Sequence, residues 1–242
     1  QIGNEEVENG DFSEVGAELV TNGDFSTDSN WVKGTGWTIS GGLLNCDGTQ
    51  TGVSQVYQFG VVTLGTSYQI TFTVSNYSSG SIRAGADGSW GSYYSANGTY
   101  TYNITSAGTL FIIQADNTFI GSIDNVSVKE VGQDWTFQNG WSMGDDIAIF
   151  NGTVSAYRKL FQENIITIGK QYKLNFEIKS ISSGSIASKE PNSPSFNTTG
   201  VKTQYFTATL DDLFLEPTND AVLTIDNVSV KEVGQGWTIG GN

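Results

Sequence analysis

The sequence predicts an all-β protein made of two tandem antiparallel β-sandwich modules, and three observations carry that reading. The composition is rich in Thr, Ser, Asn, Val, Ile and Tyr, with 30 glycines against three prolines. That is the balance of strands joined by Gly and Asn turns. A stretch of about a hundred residues occurs twice. Apolar and polar residues alternate through the segments between turns, and no long window keeps a helical period.

The duplication is plain in the residues. "SIDNVSVKEVGQ" at Ser122–Gln133 returns as "TIDNVSVKEVGQ" at Thr224–Gln235. Upstream, Trp31 matches Trp135, Trp37 matches Trp141, Gln58 matches Gln162, Tyr68 matches Tyr172 and Phe72 matches Phe176. "SSGSI" at Ser78–Ile82 recurs at Ser182–Ile186.

Taken in chain order, the elements begin with "NGDFS" at Asn9–Ser13, repeated at Asn22–Ser26. The second copy reads as the opening of module 1, which leaves residues 1–17 as an N-terminal extension. Trp31 and Trp37 are expected in the core because they recur in both copies. Cys46, in the alternating stretch from Leu43, reads as a small buried residue. "SQVYQFGV" is strand-like, so its counterpart "RKLFQENI" is expected to be a strand as well. "TSYQITFTVSNY" turns Tyr68, Ile70, Phe72 and Val74 inward, and "KQYKLNFEIKS" does the same with Tyr172, Leu174, Phe176 and Ile178. "GTYTYNITSAGTLFIIQAD" reads as two strands around a turn at Ser106–Gly108. "IDNVSVKEV" closes each module, with Ile123, Val126 and Val128 or their neighbours toward the core.

Module 1 is thus expected over residues 18–133 and module 2 over 134–235, the latter without an opening motif of its own. Residues 236–242 resemble the start of a further module. These unpartnered end segments are expected to pair with a neighbouring subunit or with another part of the same assembly, since an unpaired strand edge invites strand addition. A homo-oligomer, or assembly with other virion subunits, is the corresponding expectation.

Charge and residue counts exclude several functions. The net charge of −14, with only 11 Lys and Arg spread along the chain, speaks against nucleic acid and against an anionic membrane surface. No apolar run has the length of a membrane helix. With no histidine and one cysteine, His-based triads and thiolate zinc sites have no residues. Asp145–Asp146 and Asp211–Asp212 are adjacent pairs, which point to opposite faces of a strand. An enzyme is not expected. Seven Asn-x-Ser/Thr sequons occur, at Asn76, Asn97, Asn103, Asn125, Asn151, Asn197 and Asn227, in a chain rich in the residues that make them by chance.

"ELVTNGDFSTDSNWVKGTGWTI", the middle "GTSYQITFTV" and the closing "IDNVSVKEV" resemble the jelly-roll carbohydrate-binding modules that accompany xylanases and other glycanases. Similar copies recur in tail, fibre and other structural proteins of bacteriophages. The resemblance covers Glu18–Val131 well and Asp134–Val233 less well. It implies a non-catalytic protein of an extracellular or virion surface, with a cell-surface or mucus polysaccharide as partner. The alternative is a glycan-binding adhesin module of a secreted bacterial protein or glycanase. The resemblance also implies a structural calcium ion between the opening and closing strands. Asp24 and Asp124 stand at the matching motifs of module 1 and Asp226 at that of module 2, although Ser26 stands where the family often has glutamate. An Asx-type turn at Asp24 and a strand-end role for Asp124 are the other reading.

For a sugar, the aromatic cluster of "RAGADGSWGSYYSANGTY" is the candidate: Arg83, Asp87, Trp90, Tyr93, Tyr94 and Asn97. Rings stack on sugar faces while polar side chains take the hydroxyls. The other reading is that Trp90 and one tyrosine plug the end of the sandwich or pack on a neighbouring subunit. Module 2 keeps one aromatic here, Phe196.

Overall fold

The computed structural model describes residues 2–152, 156, 158–188 and 190–234. The chain forms two compact units: Val15–Val131, and a second assembled from Gln1–Glu14 together with Gly132–Asn242. They are called inner and outer for their order in sequence, the one being inserted within the other.

In chain order the strands are β1 (Ile2–Glu5), then β2 (Val15–Glu18), β3 (Val32–Lys33), β4 (Trp37–Ser40), β5 (Leu43–Asp47) and β6 (Ser54–Phe59). There follow β7 (Ser67–Ser79), β8 (Ile82–Ala86), β9 (Ser89–Trp90), β10 (Gly98–Thr105), β11 (Leu110–Ala115) and β12 (Ile120–Val131). The outer unit resumes with β13 (Thr136–Phe137), β14 (Trp141–Met143), β15 (Ala148–Asn151), β16 (Leu160–Gln162), β17 (Gln171–Ser183), β18 (Ile186–Ser188), β19 (Gly200–Thr207), β20 (Leu213–Pro217) and β21 (Val222–Val233). No helix occurs among the described residues, hence none long and apolar enough to cross a membrane.

Each unit is an antiparallel sandwich. In the inner unit one sheet runs β10-β7-β12-β5-β4, with β2 also on β12, and the other runs β3-β6-β11-β8-β9. In the outer unit the sheets are β14-β15-β21-β17-β19, with β1 on β21, and β13-β16-β20-β18. The chain crosses repeatedly between sheets, as in a jelly roll. The alternation is the cause: Tyr68, Ile70, Phe72 and Val74 on β7 are buried while Thr71 and Thr73 pair outside with the hydroxyls of Thr101 and Thr99. Trp31, Trp37 and Cys46 lie in the inner core. Burial raises the Cys46 thiol above its ordinary range, so it stays protonated and packs as a small apolar group.

The expected boundary after residue 17 is corrected. Residues 2–14 are the missing opening of module 2. Ile2 and Glu5 pair with Val233 and Lys231, and Phe12, 1% exposed, packs on Trp135 with centroids 5.3 Å apart. The N-terminal segment therefore finds its strand partner within the chain, where a neighbouring subunit was expected. The matching expectation for residues 236–242 lies outside the described residues.

The two repeated motifs form one joint. Between Asp124 and Ser127 the β12–β7 register slips by a residue, and Asn125 takes φ 51°. In β21 Asn227 does the same at φ 54°. Asn tolerates this left-handed conformation, which makes "DNVS" a β-bulge. The opening motif docks onto that bulge: Val126 N–H donates to Gly23 O at 2.9 Å and Val228 N–H to Gly10 O at 2.8 Å. A Cβ on either glycine would stand 2.0 Å from the carbonyl oxygen of Val126 or Val228, so the approach requires glycine.

Candidate functional site

The candidate site is the outward face of the inner sheet β3-β6-β11-β8-β9. Ile82, Ala84 and Ala86 of β8 point into the core, which turns Arg83 and Gly85 outward by the period of two. Register fixes the neighbours. Arg83 stands opposite Gln114, and Gln114 opposite Gln55. In the next row Gly85 pairs with Trp90 and Ile112, Ile112 with Tyr57, and Tyr57 with Val32.

At one end of this face Arg83 is held between two rings. Its guanidinium carbon lies 4.1 Å from the Trp90 ring centroid and 4.5 Å from that of Tyr93, cation–π geometry. Arg83 Nε donates to Gln114 Oε1 at 2.8 Å, and the Tyr93 hydroxyl donates to the same oxygen at 3.4 Å. Gly85 makes room: a Cβ there would meet the Trp90 ring at 2.7 Å. No carboxylate pairs with Arg83 among the described residues. Tyr93 is 51% exposed. Toward the other end the face carries Tyr57 edge-on to the exposed Phe59 at 5.3 Å. It then opens into a cleft of about 620 Å³ whose walls include Val32, Val53, Gln55 and Tyr57. Five strands at the usual spacing make the face about 19 Å wide.

The other sequence candidates lie elsewhere. Tyr94, next to Tyr93, faces inward. It stacks on Tyr100 at 3.8 Å, packs edge-on to Phe72 at 5.8 Å, and bridges by backbone to Ile82. Burial, with Tyr100 beside it, raises its phenol above the ordinary range. Tyr102, whose hydroxyl donates to Ala84 O, is raised further, chiefly by burial. These rings close the side of the sandwich. Asp87 heads the β8–β9 turn at φ 36° and accepts from Thr109 N–H. Asn97 accepts from Tyr77 N–H at 2.9 Å. Each is thus engaged by a backbone N–H. Gln114, Gln55 and Tyr57 join the face unannounced, since only strand register brings them beside Arg83.

The outer unit lacks this clamp. Ala187 and Glu216 stand opposite one another where the inner unit has Arg83 and Gln114. Arg158 pairs with Glu216 at 3.2 Å, and Lys159 lies over Phe214 at 4.0 Å. Phe196 bridges to Ile186 and packs on Phe176, which is the inward role of Tyr94.

The carboxylates expected to hold calcium are engaged locally. Asp24 accepts from Ser26 N–H, an Asx turn, and Asp124 from Asn125 N–H at 2.7 Å. Asp226 accepts from Asn227 N–H at 2.6 Å and has Lys179 Nζ at 3.8 Å. Burial raises the Asp226 carboxyl, and Glu177 and Asp11 add to the rise while Asn227 N–H and Lys179 oppose it. Calcium takes about six to eight hard oxygens, and no three carboxylates converge among the described residues.

Neither a protein-family model nor a curated protein matches the chain. Among solved structures, the N-terminal tandem of two CBM22 domains of Paenibacillus barcinonensis Xyn10C aligns over 91% of this chain and 99% of its own, at 10% identity and TM-score 0.39. A salicylate 1,2-dioxygenase from Pseudaminobacter salicylatoxidans aligns over 76% of this chain and 71% of its own, at 5% identity and TM-score 0.18. Likeness this distant bears on neither ligand nor reaction.

Proposed function

We propose that the chain is a non-catalytic glycan-binding protein of an extracellular surface, and that the inner unit holds the sugar on the face carrying Arg83. The observation that supports this reading is the clamp itself. An arginine without a carboxylate partner among the described residues is fixed between two aromatic rings, one of them half exposed, on a face that also presents glutamines. Sugar rings offer C–H faces to aromatic side chains and hydroxyls to planar amides and guanidinium N–H groups. Nothing else on that face suggests chemistry: it has no acid–base pair and no nucleophile beside a base. Glutamines supply both donors and acceptors for hydroxyls.

The test is titration with soluble polysaccharides followed by tryptophan fluorescence, comparing the natural chain with Arg83→Met. The natural chain is expected to show a saturable change, and the variant to lose at least about tenfold in affinity. Equal binding by both would remove the clamp from the site.

A further inference from the structure

The outer unit is completed by a segment to which it is not joined directly in sequence. Residues 2–14 run on into Val15, the first residue of the inner unit, and the outer unit resumes only at Gly132. Their hold on the outer unit is non-covalent and specific. Gln162 grips one residue twice, accepting from Glu8 N–H at 3.1 Å and donating to Glu8 O at 2.6 Å. Glu5 Oε1 accepts from Val230 N–H at 2.6 Å, Phe12 fills the space against Trp135, and Trp135 Nε1 donates to Asn9 O at 3.0 Å.

The inner unit repeats the arrangement almost atom for atom. Gln58 accepts from Thr21 N–H at 3.2 Å and donates to Thr21 O at 2.6 Å. Glu18 Oε1 accepts from Val128 N–H at 2.9 Å, and Phe25 packs on Trp31 at 5.3 Å. The closing strands that receive both segments share "IDNVSVKEVGQ". One chain therefore carries two donor segments of one kind and two matching slots. In the inner unit the donor runs straight on into its own sandwich, whereas in the outer unit a whole folded unit intervenes.

We infer that the outer slot is an exchange site whose other occupant is the opening segment of a second copy of this chain. Exchange replaces each contact by its equivalent, so the enthalpy is conserved and the competition is with the tethered segment alone. A tethered segment acts at an effective concentration set by its connection, which a second copy must match. Copies therefore link when the chain is concentrated or its outer unit is loosened, the usual route to a strand-exchanged dimer. Reciprocal exchange gives a closed pair, and one-way exchange gives a row.

Two full-length variants test this. Phe12→Asp spoils the donor and leaves the slot; Gln162→Leu with Trp135→Ala spoils the slot and leaves the donor. Mixed in mild denaturant and returned to buffer, they are expected to yield a species of twice the chain mass by light scattering, at a level neither gives alone. A mixture holding no more dimer than its components overturns the inference. Because either variant can leave its outer unit unfolded, a labelled peptide of residues 2–14 is also offered to the full-length Phe12→Asp chain. Saturable uptake is expected, weakened at least about tenfold when the peptide carries Phe12→Ala. No uptake overturns the inference. So does uptake by a chain that still forms no mixed dimer, since a second copy is then no occupant.

Discussion

Gln162 holds Glu8 by both backbone groups, at 3.1 and 2.6 Å, across 154 residues of sequence. Closing the outer unit therefore requires the first and last parts of the chain to meet, whereas the inner unit closes within Val15–Val131. Val15 and Val131 are themselves strand partners, so the inner unit begins and ends at one place, the condition under which a folded unit is tolerated as an insertion.

Phe12→Ala is expected to destabilise the outer unit alone, by about 3–5 kcal/mol, the cost of emptying a buried phenylalanine site. Unfolding followed by calorimetry should show one transition moved down and one unchanged. A single transition shifting as a whole would contradict the separation of the units.

Gly10→Ala and Gly23→Ala are expected to cost similar amounts, about 1–3 kcal/mol or more, because each added methyl overlaps a carbonyl oxygen at 2.0 Å. The first should lower the outer transition and the second the inner one. Denaturant titration of the two variants checks this; a neutral effect at either would show that the bulge gives way.

Much of this fold is legible in the sequence, because the alternation along β7 and β17 requires one buried face. The ownership of the first "NGDFS" is not. Both copies of the motif fit either closing strand, and adjacency in sequence favours the wrong pairing for Trp135. The site is legible in part. Tyr93 and Tyr94 are neighbours of like chemistry, yet strand geometry sends one outward over Arg83 and the other inward onto Phe72. Gln114 carries no signal until β11 is set in register between β6 and β8. Gly85 and Gly91 carry no signal of their own, yet they allow Trp90 and Tyr102 to lie against the backbone.

Asp226→Asn is expected to leave the outer transition unchanged or raise it slightly at neutral pH. Its carboxyl is raised by burial, so its charge costs the folded state stability above the folded pKa, and acidification through that pKa relieves the cost. The amide still accepts from Asn227 N–H. The gain over the natural chain should vanish toward acid pH. Chelator should move neither melt; a chelator-sensitive melt that Asp226→Asn abolishes would make the residue an ion ligand after all.

Asp116 behaves in the opposite sense. Burial pulls its carboxyl up, but hydrogen bonds from Ser81 and Thr118 outweigh that and hold it below the ordinary range. Its contribution is therefore present above the unfolded pKa and lost as the pH falls through the folded value. Asp116→Asn should lower the inner melt at neutral pH, with the difference shrinking below about pH 4. A pH-independent difference would mean that lost packing, and not the charge, sets the cost.

The inner face is tested most directly by an array of plant, bacterial and mucosal glycans probed with the natural chain, Trp90→Ala and Tyr94→Ala. The natural chain should retain a defined set of polysaccharides. Trp90→Ala should lose that retention at an inner melting temperature close to the natural one, because a ring on the outward face adds more to binding than to the core. Tyr94→Ala should instead lower the melt through its lost packing on Phe72 and Tyr100. No glycan retained by the natural chain, or the same set retained by Trp90→Ala, would contradict a sugar site on this face.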